Sequence, residues 1–493
     1  MGGTAGEAGG GAGGVPSAER KPLWFTYTGR AQGLDADLKY AVRLDQGELS
    51  EPILISPAAY PEGDMSNTVW SPDGSSMILE RADEYPKREQ YLIHFGEAGP
   101  IGPIPLTEDL PPSDSDGVSW SASGQTLLMQ REDGVYVVDY TAGEAVATVN
   151  LVSGAGFEVV YAAELVGDDH VWWFGRDKNS SKFSLWRSDR QGSTWTQTPV
   201  VSELAGDSLY LPAPLDAARS NKLTYTSETA GLRTLFQLDL AAGAEPVKLL
   251  EPTPELAMVV SPDSSQWLIA RATAADASEL LAGPAAHPTQ LATLAPSVLG
   301  HPHEILVNEW MWAPDSSRAA LWVDDPDGKK LVIYEPAAGQ ELLPLALPVV
   351  PNNMSGAFAW SPSSRILAVA TSEKSDEVHS WWTLVEFPSG ATRVLDGPIT
   401  SLGFGPDDQL AFDWQGESYL LELQTGLAAA GDPLNLPGED KQCRFGASPR
   451  GVLCSNGSGP NRGFTYIDLS GPTPRKPLTI VTGVRECELQ PVP

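Results

Sequence analysis

Residues 69–79 read VWSPDGSSMIL, and the phrase returns as VSWSASGQTLL from Val118, VVSPDSSQWLI from Val259, MWAPDSSRAAL from Met311, AWSPSSRILAV from Ala359 and FGPDDQLAF from Phe404. Weaker copies are PAPLDAARSNKLTY from Pro212 and FGASPRGVLC from Phe445. With the residue before the Pro position as anchor, the copies stand at 71, 121, 213, 261, 313, 361, 405 and 447. The gaps are 50, 92, 48, 52, 48, 44 and 42, and the 92 is two gaps of 46, so a degenerate copy is expected in ELVGDDHVWWF, near Gly167. Each residue of the phrase has a turn-forming reason. Pro fixes φ, Asp or Ser hydrogen-bonds the turn backbone, and Gly or Ser tolerates the left-handed position that follows.

A second phrase repeats half a period later: an alternating apolar strand that ends in a small turn with Gly. It reads YAVRLDQG to Gly47, VYVVDYTAG to Gly143, LFQLDLAAG to Gly243, LVIYEPAAG to Gly339, WTLVEFPSG to Gly390, YLLELQTG to Gly426 and FTYIDLSG to Gly471. Less regular copies end near Gly99, Gly192 and Gly283, which makes ten. The alternation has period 2, the period of a strand, and no segment sustains the 3.6 of a helix. A repeat of ~47 residues holds four strands of ~5–6 residues and their turns. One such sheet cannot cover both its faces, whereas stacking copies around an axis does.

The expected fold is therefore all-β: a β-propeller of four-stranded antiparallel blades with roughly ten units. The phrase WSPDG followed by an apolar strand and then a strand ending in DLxxG resembles the TolB-type, WD-repeat-like propeller repeat. The likeness runs from residue 22 to about 490. It implies the fold, with the WSPDG phrase at the end of each inner strand and the Gly phrase at the end of each third strand. The stretch from Leu23 to Ile55 supplies a second, third and fourth strand without an inner one, and the tail RECELQPVP from Arg485 is the candidate for the missing piece. The expected organisation is a Gly/Ala-rich tether over residues 1–20 and a propeller over 21–493, closed by its N- and C-terminal strands. Ten exceeds the about 4–8 blades of most propellers, so one wide ring and two smaller rings in tandem both fit the count. One continuous assembly is the reading adopted. The Pro/Ala-rich stretches 244–256 and 283–303 are the candidate breaks.

Charge narrows the function classes. The chain of 493 residues carries 32 Lys and Arg against 64 Asp and Glu, a net charge of −32. That excludes a phosphate-neutralising surface for nucleic acid and docking on an anionic membrane face. Apolar residues are 41 % of the chain, enough for a large core rather than disorder. No apolar run reaches the ~20 residues of a membrane helix. The opening MGGTAGEAGGGAGG has nothing to bury and reads as a flexible tether. It resembles the leash of bacterial lipoproteins, with the lipidated cysteine standing where Met1 is. The resemblance implies a periplasmic, outer-membrane-anchored or extracellular protein with a lipid anchor before residue 2; a cytoplasmic chain is the alternative. Of three cysteines, Cys443 and Cys454 flank a turn and would face each other across a hairpin, bridged or as two buried thiols, and Cys487 stands apart.

The search for chemistry is mostly negative. Propellers resembling this one precede the hydrolase domain of prolyl oligopeptidase-type enzymes, but no GxSxG elbow is present, and GASPR at Gly446 puts Arg in place of the second Gly. No phosphate-cradling glycine motif occurs. His301, His303 and Glu304 could begin a metal site but read better as a solvated loop. SDSDG at 113–117 and DDPDG at 324–328 lack the Glu that a calcium loop needs, and DDPDGKK reads as a hairpin turn. Trp172–Trp173 and Trp381–Trp382 lie in strands, so each pair sends one ring to each sheet face. Trp195 and Trp414, expected in loops, are candidate sugar-stacking rings. No catalytic residue, metal or cofactor is assigned.

What remains is geometry: the loops that enter the inner strands gather at one face and differ from copy to copy. On them Asp64, Asn67, Asp114, Asp116, His303, Glu309, Asn352 and Asn353 are the candidate binding residues. The expected function is a non-enzymatic, monomeric binding scaffold of the bacterial cell envelope that presents these loops to a protein partner. The alternative is a carbohydrate-binding or carbohydrate-active propeller.

Overall fold

In a computed structural model of the chain, residues 23–30, 37–45, 48–56, 64–82, 88–106, 117–131, 134–139, 148–151, 157–177, 182–192, 194–204, 208–210, 222–239, 245–274, 277–285, 290–299, 310–325, 328–338, 342–345, 347, 358–371, 380–405, 408–414, 417–428, 434–435, 441–445, 451–456, 462–468, 478–484 and 486–489 are described. Among them there are strands, turns and short 3₁₀ segments, and no α-helix.

The strands form ten four-stranded antiparallel blades arranged as a ten-bladed propeller. Blade 1 begins with Leu23–Arg30, pairs it with Asp37–Asp45, and ends in the outer fragments Glu48–Leu49 and Ile53–Leu54. Its inner strand is Glu486–Leu489, from the far end of the chain, in register from Phe25↔Leu489 to Thr28↔Glu486. The tail therefore completes the first blade, as its sequence suggests. The other blades open with inner strands Asp64–Trp70, Gly117–Trp120, Phe157–Val166, Ser208–Tyr210, Leu256–Val260, Trp310–Trp312 and Phe358–Trp360, then the second half of Thr392–Phe404, and Lys441–Phe445. The degenerate copy is real: Phe157–Val166 turns through Gly167 into His170–Asp177. Thr392–Phe404 is a 13-residue strand whose first part is the outer strand of blade 8 and whose last part is the inner strand of blade 9, joining the two into one seven-stranded sheet.

The core settles the one-ring question. Side chains alternate along each strand, so every blade sends one apolar row to the blade before it and one to the blade after. In blade 2, Met77, Leu79, Tyr91 and Ile93 meet Trp24 and Ala41 of blade 1, while Ile78 and Leu92 meet Leu127, Met129 and Tyr136 of blade 3. The pattern continues through all successive pairs. It ends with Phe464, Tyr466 and Ile480 of blade 10 against Phe25, Tyr27 and Val42 of blade 1. Two rings in tandem would need a pair of neighbours without a shared core, and none is missing. Of the two candidate breaks, 244–256 holds Leu250 and Leu256 in the core between blades 5 and 6, and 283–303 contains the outer strand Ala292–Leu299 of blade 6, in keeping with one continuous assembly. Trp172 and Trp173 fall into two different cores, on opposite faces of blade 4.

Candidate functional site

Each inner strand has two ends, and the repeated phrase occupies one of them. Ser71 Oγ accepts the Ser76 N–H (2.9 Å) and donates to Asp73 (2.6 Å), whose carboxylate also accepts the Ser75 N–H (3.0 Å). The same serine bond recurs from Thr126 to Ser121 (3.1 Å), Gln266 to Ser261 (3.0 Å) and Ile366 to Ser361 (3.0 Å). The fourth position of the turn is left-handed, with φ of 69° at Gly74, 74° at Gly124, 58° at Ser264, 62° at Ser316, 60° at Ser364 and 57° at Asp408.

Where that position is not glycine, its side chain can reach the neighbouring blade. The Asp263 N–H donates to Ser316 Oγ (2.9 Å) and the Asp315 N–H to Ser364 Oγ (2.9 Å). Ser363 Oγ donates to Asp408 (2.7 Å), and Arg365 bridges Asp408 (2.9 Å) and Glu386 (2.5 Å). Ser123 likewise donates to Asp168 of blade 4 (2.5 Å). Burial pushes the carboxyls of Asp73, Asp263, Asp315 and Asp408 up, but hydrogen bonds outweigh it and leave all four below the ordinary value: from Ser71 and Ser75 at Asp73, from Ser261, Ser265 and Ser316 at Asp263, from Ser317 and Ser364 at Asp315, and from Ser363, Ser361 and Arg365 at Asp408. Glu386 is held low by bonds from Ser389, Gly426 N–H and Arg365. The serines and aspartates of the phrase thus latch blade to blade at one rim.

Two of the sequence-derived binding residues are described, on the stretch of the blade 2 inner strand that precedes its turn phrase. Asp64 and Asn67 lie on the inner strand of blade 2, opposite Ala82 and Glu80. Asp114, Asp116, His303, Glu309, Asn352 and Asn353 lie outside the described residues, as do His301 and Glu304.

Beside Asn67 the structure assembles a group that sequence reasoning missed. Lys39, 1 % exposed, sits between blades 1 and 2 with its ammonium 3.3 Å from Glu488 Oε1. Thr68 of blade 2 donates to the same oxygen, and the buried Thr28 hydroxyl, directly across the ladder from Lys39, has no partner among the described residues. Glu488 is 33 % exposed, so the pair is sealed on the lysine side and open on the carboxylate side. It ties the closing strand to blade 2. Lys39 is mid-strand in LKYAVRL, which marks it as unusual only once both faces of the sheet are known to be covered.

Trp195 is in the strand Thr194–Leu204, not in a loop, and its half-buried ring packs on the core between blades 3 and 4. Trp414 ends the strand Leu410–Trp414, opposite Glu417. DDPDGKK is a hairpin turn, with Asp325 opposite Gly328. Cys443 and Cys454 are opposite each other in register, Cys454 is disulfide-bonded and Cys487 is a free thiol. Among the described residues no group of His, Cys, Asp and Glu is placed to hold a metal ion, and no helix is long and apolar enough to cross a membrane.

No protein-family model matches the chain, and no curated protein matches it. Among solved structures it is similar to a eukaryotic initiation factor at 12 % identity and a TM-score of 0.45, covering 96 % of this chain and 100 % of that one. It is similar to TolB from Acinetobacter baumannii at 12 % identity and a TM-score of 0.27, covering 66 % and 84 %. The dihydro-heme d1 dehydrogenase NirN is similar at 15 % identity and a TM-score of 0.37, covering 85 % and 74 %. The fold rests on the ladders and on the shared cores: the chain is a ten-bladed β-propeller.

Proposed function

We propose that the chain is a non-enzymatic binding scaffold of the bacterial cell envelope, a TolB-type repeat protein that presents the loops entering its inner strands to a protein partner. The observation that carries this reading is that the repeated turn phrase is spent on holding blades together, which leaves the variable sequences entering the inner strands as the candidates for recognition. At one rim the repeated serines and aspartates are engaged in blade-to-blade bonds. The sequences that precede the inner strands differ from copy to copy, from SDSDG to HPHEILVNE to PNNMSG, and variable connections on a rigid scaffold are where recognition concentrates. Export is supported by the disulfide at Cys454, since such bonds persist in oxidising compartments.

The test is affinity capture from envelope fractions with the whole chain and with an Asp64, Asn67, Asn352, Asn353 quadruple alanine variant. The expected result is one protein partner retained by the parent and lost by the variant at unchanged melting temperature. Glycan-array binding without a protein partner, or fractionation of the natural protein to the cytoplasm, would overturn the reading.

A further inference from the structure

Two stretches of the ring, five blades apart, are built alike. Trp120 of blade 3 donates its indole N–H to the Val69 carbonyl of blade 2 (3.2 Å), and Trp360 of blade 8 donates to the Met311 carbonyl of blade 7 (3.2 Å). In the turn that follows, Ser121 and Ser123 share a hydrogen bond (3.2 Å), as do Ser361 and Ser363 (3.2 Å). Ser123 reaches on to Asp168 of blade 4 (2.5 Å), and Ser363 to Asp408 of blade 9 (2.7 Å). Turns with Asp in place of that second serine close on themselves, as Asp73 does with Ser75 and Asp263 with Ser265. The matching residues of blades 3 and 8, and of blades 4 and 9, stand 240 positions apart in the chain. Five blades of a ten-bladed ring are half a turn, so a two-fold rotation about the ring axis relates the two stretches.

Exposed apolar surface on the inner strands follows the same relation. Among the described residues, two large apolar side chains on inner strands are exposed: Val69 (37 %) in blade 2 and Met311 (40 %) in blade 7. Each is followed by a half-buried tryptophan, Trp70 or Trp312, whose indole N–H is buried without a partner among the described residues. Each also has the indole of the next blade, Trp120 or Trp360, on its backbone. The stretches 68–71, 118–121, 310–313 and 358–361 carry no charge in a chain of −32. Both inner strands are the last of their sheets on the axis side, and no described strand covers them there. A single exposed apolar side chain is ordinary on a protein surface; what sets these two apart is that they form a matched pair across the ring axis.

We propose that Val69 with Trp120, and Met311 with Trp360, are twin anchor sites for a homodimeric protein partner whose two-fold axis lies along the ring axis. Symmetry chooses the occupant, since a homodimer presents one surface twice about its own axis. Each corner, with one exposed side chain, holds weakly alone, and two engaged together gain through effective concentration. The uncharged walls select an apolar anchor, and tryptophan is among the residues that dominate such contacts. These corners lie at the turn ends of the inner strands, and the inference does not rest on the loops proposed above.

The test uses a neutral peptide that ends in Trp-Leu, two copies of it joined tail to tail into a symmetric dimer. A Gly/Ser linker of about 20 residues separates the two anchors and spans roughly 25 Å on average. The control is the same molecule with one Trp-Leu end. Fluorescence anisotropy with the full chain should show one dimeric peptide bound per chain, about tenfold or more tighter than the one-ended control. Val69→Asp and Met311→Asp, at exposed positions, should each remove that advantage at unchanged melting temperature, and the double variant should bind neither peptide. If either variant melts lower, Val69→Ser and Met311→Ser take their place with the same expected losses. No binding of the dimeric peptide, equal affinity for the two peptides, two dimeric peptides per chain, or an advantage that survives in the variants would each overturn the proposal.

Discussion

The fourth residue of the inner turn shows how one position can serve two ends. A left-handed backbone favours glycine, and Gly74 and Gly124 use it so; a Cβ at Gly124 would lie 2.7 Å from Asp73 Oδ1 of the preceding blade. Blades 7 and 8 put serine there and gain a bond to the preceding blade. Two outcomes follow. Gly124→Ala should destabilise by ~1–3 kcal/mol, because the strained φ and the carboxylate contact act together. Ser364→Ala should cost about 1 kcal/mol, the worth of the Asp315 N–H bond, with the strain retained, whereas Ser364→Gly should cost less by relieving it. Urea unfolding midpoints of the variants check both.

At the scale of the element, the latch turns make stability pH-dependent. The carboxyls of Asp73, Asp263, Asp315 and Asp408 titrate lower in the folded chain than free, because hydrogen bonds outweigh burial. A depressed carboxyl contributes stability that is complete above its unfolded pKa of ~3.9 and is lost as pH falls through the folded value. Melting temperature should therefore be flat with respect to these groups from pH 7 to about 5 and drop below about 4. Asp263→Asn and Asp315→Asn together should shrink the drop. A drop of unchanged size would place the acid sensitivity elsewhere.

For the whole molecule, stability depends on closing the ring. The closing strand offers only the pairs from Phe25↔Leu489 to Thr28↔Glu486, helped by Lys39–Glu488 and Thr68. Glu488→Leu leaves a buried ammonium without its counter-charge. The cost should be ~1–3 kcal/mol, below the ~3–5 of a fully buried pair because the carboxylate is partly exposed. Lys39→Met in the same chain should return most of it. Equal melting of the parent and the single variant would show that the ion pair contributes nothing to closure.

Much of this architecture is legible from residues alone. The turn phrase and the Gly phrase recur in step because every blade needs the same hairpins, and adjacent tryptophans such as Trp172 and Trp173 announce two covered faces. Their spacing determined an all-β chain of about ten four-stranded units. Whether ten units make one ring or two was a matter for the tertiary structure, since identical blades stack equally well in either, and the unbroken series of shared cores, closed by that between blades 10 and 1, tells them apart. The same holds for Lys39 and Glu488, which lie at opposite ends of the chain and meet only because the last strand completes the first blade.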